Sequence, residues 1–69
     1  MNRKLETKGF AYVEGEIRFK TDKAIFFSDG KTEAWIRISQ IEDADDDLEP
    51  GKHLELLLPE WLAKNKGLI

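Results

Sequence analysis

Six carboxylates crowd into one short stretch of this chain: Glu42, Asp43, Asp45, Asp46, Asp47 and Glu49. Asp43-x-Asp45-x-Asp47 has the alternate-residue spacing of a calcium loop. Such a loop needs Gly at its sixth position and Glu at its twelfth. Those places hold Leu48 and Leu54, Glu55 comes one residue late, and a strand pattern follows instead of a helix. No metal and no other cofactor is expected. A dense row of carboxylates has a second use, which is to occupy a basic protein surface where phosphates would otherwise sit. On that reading Asp43, Asp45, Asp46 and Asp47 contact a protein partner, and Trp35 adds apolar burial. Charge runs are common, and the plainer reading is a solvated acidic loop over 42–51, kept extended by self-repulsion.

Basic and aromatic residues supply the other chemistry. Phe10, Tyr12, Arg18 and Lys20 share the outward face of one strand pattern, and Trp35 and Arg37 share that of another. Small barrels that bind single-stranded nucleic acid stack bases on such aromatics and track phosphates with Lys and Arg. Tyr12, Arg18, Lys20, Trp35 and Arg37 form the candidate set for that function. The plainer reading places Phe26 and Trp35 under a C-terminal helix, with Tyr12 and Phe10 covering a barrel end. The net charge of -3 and the acidic run make nucleic acid the second choice. His53 is the single histidine, there is no cysteine, and no serine sits at a motif spacing. A general base needs a positioned partner and a pocket, so no catalytic residue is assigned and no enzyme is expected.

Length bounds the architecture that must hold these groups. A chain of 69 residues is one small domain. Without cysteine it has no disulfide framework and no thiolate metal site, which fits a cytoplasmic protein. No apolar run approaches a membrane span, so no membrane association is expected. Of the fourteen acidic residues six lie in the run, and the other eight face eleven Lys and Arg. The molecule is a mildly basic body bearing one acidic segment.

The organising stretch is Lys23 to Ile41, KAIFFSDGKTEAWIRISQI. Asp29-Gly30 between alternating apolar runs predicts a tight hairpin turn with positive φ at both residues. Pairing Ser28 with Lys31 then sets Phe26 against Glu33 and Ile25 against Ala34. Ile25, Phe27, Ala34, Ile36 and Ile38 form the core face, and Phe26 and Trp35 lie close on the opposite one. Gly9 to Lys20 reads as a long strand with Ala11, Val13, Gly15, Ile17 and Phe19 inward. Gly15 marks a bend, a bulge or a close crossing.

Met1 to Lys8 is expected to be a frayed lead-in. Lys52 to Leu58 gives a fourth strand with Leu54, Leu56 and Leu58 on one face. Pro59 to Gly67 gives a short helix, with Pro at its start, Lys64 and Lys66 in its last turn and Gly67 past its end. Leu68 and Ile69 fold back in a Schellman-type ending. Trp61 and Leu62 plug the open end of the fold or cover the Phe26/Trp35 side. The expected fold is mostly β: an SH3-like or OB-like small barrel, or a curled antiparallel sheet of about four strands, with the short C-terminal helix.

Lys23-Ala24-Ile25, Asp29-Gly30, Trp35-Ile36, Ser39-Gln40-Ile41, Trp61-Leu62-Ala63 and Lys66-Gly67-Leu68-Ile69 follow one another in an order that resembles a family of short phage and prophage proteins. The resemblance spans Lys23 to Ile69. Arg37 stands where the pattern has proline, and the acidic stretch is longer than the pattern's. The resemblance implies an accessory protein of the kind encoded near replication, recombination or host-takeover genes. Taken with the carboxylate run, it points to a role in binding, as an inhibitor or modulator of a host nucleic-acid-handling machine in the host cytoplasm. The partner that the carboxylates suit is a protein with a basic surface.

Overall fold

The computed structural model describes residues 9–69. The expected frayed lead-in, Met1–Lys8, lies outside them. Five strands form one curled, unclosed sheet in which every pairing is antiparallel. They are β1 (Phe10–Lys20), β2 (Ala24–Ser28), β3 (Glu33–Arg37), β4 (Asp43–Ala44) and β5 (His53–Pro59). The order across the sheet is β3-β2-β1-β5-β4. A 3-10 turn, Ile38–Gln40, follows β3, and helix α1 (Glu60–Asn65) follows β5. Of the architectures expected, the curled sheet with a C-terminal helix is the one adopted.

β1 serves both halves of the molecule. Phe10 to Glu16 pairs with β5, and Glu16 to Lys20 pairs with β2. The strand changes partner near Gly15, where β2 crosses closely. A Cβ at Gly15 would run into the Ser28 carbonyl and lie 2.8 Å from Phe27 Cζ. Of the bend, bulge or close crossing expected at Gly15, a close crossing is what the strand makes there. A bulge follows between Ile17 and Phe19. It moves Phe19 to the outer face, where it is 62% exposed, and corrects the expectation that Phe19 points inward. An extra residue in one strand reverses the alternation beyond it.

The β2–β3 hairpin has the expected faces but a shifted register. Ser28 pairs with Glu33, Phe26 with Trp35 and Ile25 with Ile36. The two-residue Asp29-Gly30 turn is replaced by a four-residue connection, and only Gly30 takes a positive φ. The Asp29 carboxylate explains this. Its Oδ1 accepts the Lys31 N–H at 2.9 Å and the Thr32 N–H at 2.7 Å, closing an Asx turn that holds two more residues in the loop. The shift is an even number of residues, so the inward set survives. Ser28 is buried, and its Oγ accepts the Gly30 N–H.

The core comprises Val13, Ile17, Ile25, Phe27, Ile36, Leu54, Leu56, Leu58, Leu62, Ala63 and Leu68. β5 alternates as its leucines predict. Helix α1 lies over the inner face, contributing Leu62 and Ala63. Its ending is a Schellman motif: the Leu68 N–H donates to Ala63 O, the Gly67 N–H donates to Lys64 O, and Gly67 has φ +75. Leu68 completes the core, whereas Trp61 and Ile69 are exposed. The expectations that Trp61 plugs the fold and that the helix covers Phe26 and Trp35 are both corrected. The helix is short, and its inward residues Leu62 and Ala63 leave Trp61 facing solvent.

Gly15→Ala should lower stability by about 2 kcal/mol or more, because a backbone carbonyl and a packed ring have to move. An unchanged urea midpoint would contradict the close crossing. The two N–H donors, Lys31 first, hold the Asp29 carboxyl below the usual carboxylate range. A lowered folded-state pKa stabilises above the unfolded value of about 3.9, and the effect is lost as pH falls through the folded value. Asp29→Ala should cost on the order of 1 kcal/mol at neutral pH. The gap to the parent protein should narrow as pH falls below the unfolded value of about 3.9. Equal gaps at both ends of a pH series of unfolding curves would exclude this role.

Candidate protein-docking face

The helix covers one side of the sheet and leaves the other open. The strand registers fix which side chains share that outer face, since paired residues in a ladder point the same way. Trp35, Phe26 and Phe19 make the first row, across β3, β2 and β1. Ring centroids are 5.0 Å apart for Phe26 and Trp35 and 5.9 Å for Phe19 and Phe26, both tilted. Trp35 is 46% exposed and Phe26 half-buried between its neighbours. The second row is Glu33, Ser28, Glu16 and His53, and the third sets Glu14 against Glu55. The fourth holds Tyr12, Leu57 and Asp43. An apolar strip thus runs along one end of the face, and carboxylates dominate the rest.

The strip depends on the bulge. Without it Phe19 would enter the core and Arg18 would take its place beside Phe26. Sequence reasoning missed Phe19 for that reason. The one available signal is its setting, a lone apolar residue between Arg18 and Lys20 just before the Thr21-Asp22 turn.

The acidic segment is built into the sheet edge and is not a free loop. The Glu42 N–H donates to Leu57 O and the Asp45 N–H to Glu55 O, which lays β4 along β5. Asp45 Oδ1 in turn accepts the Glu55 N–H at 2.9 Å. Asp43 Oδ1 accepts the Ala44 N–H. Asp46 accepts the Asp47 N–H and meets Lys52 Nζ at 3.2 Å. These two interactions, the backbone one larger, hold the Asp46 carboxyl below its ordinary value. Glu49 lies 3.6 Å from Lys20. The picture of a loop extended by self-repulsion is corrected: backbone ladder bonds and neighbouring cations hold it down.

Asp43 and Asp45 join Tyr12, Glu55 and Leu57 around a cleft of about 200 Å³. Asp46 and Asp47 lie beyond it in the exposed connection to β5. Trp35 is not beside these aspartates. It sits on β3 at one edge of the sheet, and they sit on or after β4 at the other. Among the described residues no group of His, Cys, Asp and Glu is arranged to hold a metal ion.

The nucleic-acid set is dispersed as well. Tyr12 lies at the far end of the face from Trp35. Arg18 is the bulged residue, its Nε 3.5 Å from Glu16. Lys20 faces Glu49. Arg37 ends β3 and lines a shallow hollow with Asp22, Lys23, Ile38 and Ser39. His53 is exposed, with Nε2 3.5 Å from Glu14. Compared with models of protein families, with curated proteins and with solved structures, the chain matches none.

The exposed row can be tested in the free protein. Trp61→Phe leaves Trp35 as the only indole, and its emission should be that of a wet tryptophan, strongly quenched by acrylamide. A blue-shifted, protected indole would show the row to be covered.

Proposed function

We propose that this chain is a small binding protein that uses the outer face of its sheet to dock a protein carrying basic residues around an apolar spot. The row Phe19–Phe26–Trp35 supports this reading most directly, because its rings lie in contact on a mainly polar face that, among the described residues, no element covers. Aromatics bury on the order of 150–250 Å² each and dominate interface energetics. Glu16 and Glu33 border the row, with Glu14 and Glu55 next to them, and these match Lys and Arg on a partner. Asp43, Asp45, Asp46 and Asp47 extend the negative field to the β4 edge, where they steer the partner more than they anchor it.

The resemblance to short phage proteins supplies the biological form of this proposal. The chain acts as a phage-type accessory protein in the host cytoplasm, and its partner handles nucleic acid through a basic cleft. Carboxylates occupy that cleft in place of phosphates. Single-stranded nucleic acid is the second reading, since the exposed rings of Phe19 and Trp35 near Arg18 and Lys20 also suit bases. Glu16 and Glu33 along one side of the row oppose it, because they repel phosphate there.

Affinity capture from a nuclease-treated bacterial lysate tests the proposal. The parent protein should retain a basic protein that added DNA displaces. Phe19→Ser with Trp35→Ser should abolish capture. Changing the four aspartates to Asn should slow association by about tenfold at low salt. Equal capture by all three proteins would sink the proposal. Salt-sensitive binding of labelled single-stranded DNA with quenched Trp35 emission would install the second reading.

A further inference from the structure

The two edges of the sheet differ in what they can pair with. At β4 the exposed side chains are Asp43, Asp45 and their acidic neighbours, so a strand of like composition would meet carboxylate with carboxylate. At β3, among the described residues, no further strand pairs beyond β2. The phase of the β2–β3 ladder is fixed by its ends: the Ile38 N–H donates to Lys23 O and the Asp29 N–H donates to Thr32 O. Bonded pairs alternate in an antiparallel ladder. Ile25 with Ile36 and Phe27 with Ala34 are therefore the bonded pairs. Glu33, Trp35 and Arg37 direct their N–H and C=O groups away from β2, toward the open edge. Their side chains stand on the outer face, all exposed.

This edge is complementary to itself. We infer that β3 pairs antiparallel with β3 of a second copy about a two-fold axis through Trp35. Glu33 then lies opposite Arg37 of the second copy, and Arg37 opposite Glu33 of the second copy. The two Trp35 rings meet at the axis. All three residues present the backbone groups that such a ladder exchanges. Within one chain, Glu33 faces Ser28 and Arg37 faces Ala24. Among the described residues neither charge forms an ion pair. Ala34 and Ile36 fall opposite each other on the inner side. The assembly is isologous and closes on itself. It also joins the two Phe19–Phe26–Trp35 rows end to end into one strip. The pairing needs no outside partner and stands apart from the docking function proposed above.

A five-residue edge is a small interface, so the dimer is weak. Sedimentation velocity from roughly 10 μM to 1 mM should show reversible dimers of the parent protein. Glu33→Arg sets Arg against Arg37 of the second copy, and Arg37→Glu sets Glu against Glu33 of the second copy. Each single reversal should weaken self-association by roughly tenfold or more. An equimolar mixture of the two variants should associate again, because both cross-axis pairs are then of opposite sign. The double reversal in one chain should also restore the dimer. Both substituted positions are exposed and face uncharged residues within the chain, so unfolding curves should stay near the parent's. A parent protein that stays monomeric to the top of the range would overturn the inference. So would single variants that dimerise as well as the parent, or a mixture that fails to associate.

Discussion

The close approach of Gly15 to the Ser28 carbonyl is the constraint on which the other features rest. β1 has to pair with β5 along its first half and with β2 along its second. A sheet that must wrap a small core cannot do this with a straight strand, and the change of partner happens where the missing side chain lets β2 come in. The bulge at Arg18 is the sequel. It restores a workable ladder with β2 after the bend, at the cost of reversing the alternation. Ile17 stays in the core while Phe19 leaves it. One fewer ring is buried, and an aromatic row on the outer face is created. The same few residues thus set the curl of the sheet and the composition of its open surface.

The acidic segment shows which of two opposing effects wins. Neighbouring surface carboxylates repel by about 1 kcal/mol at 4 Å in water before screening, and salt reduces this further. Against that stand backbone ladder bonds to Leu57 and Glu55 and the bond from the Glu55 N–H to Asp45, each contributing on the order of 0.5–1.5 kcal/mol. Lys52 and Lys20 add small screened attractions at Asp46 and Glu49. Ala44 and Leu48 also pack against the core, which anchors the segment from within. A run of charges reads as solvated when charge alone is counted. Its two apolar residues and its backbone decide otherwise.

What the sequence made legible follows from parity and from local stereochemistry. The inward set of β2, β3 and β5 is readable because side chains alternate, and an even register shift in the hairpin leaves it intact. The helix ending is readable because Gly67 meets a requirement that few other residues satisfy. The four-residue connection at Asp29 is not readable from Asp-Gly alone. It depends on whether the carboxylate turns back to cap Lys31 and Thr32 or the residue itself adopts positive φ. Phe19 and β4 are illegible for a different reason. Both are consequences of what β1 and β5 need from their partners, and no window of neighbouring residues carries that information. The candidate site suffers most, since the grouping of Trp35 with the aspartates assumed a proximity that the strand order denies. The true neighbours of Trp35 are Phe26 and Phe19.

The strand order also gives the acidic residues a role that does not depend on any partner. An unclosed sheet has two edges, and each is a template for unwanted pairing. β4 is reduced to two residues, and Asp43 lies between Glu42 and Asp45 in a run of like charge, which is a closed edge in chemical terms. β3 is longer, and its exposed charges have opposite signs four residues apart. Opposite signs at that spacing protect against a generic strand much less well than like signs do, yet they match an antiparallel copy of themselves. The asymmetry confines association to one edge and one register. It also keeps the Phe19–Phe26–Trp35 row at the associating side, away from the carboxylates of β4. A surface whose row of rings runs in from one edge and whose carboxylates cluster at the other is oriented before any partner arrives.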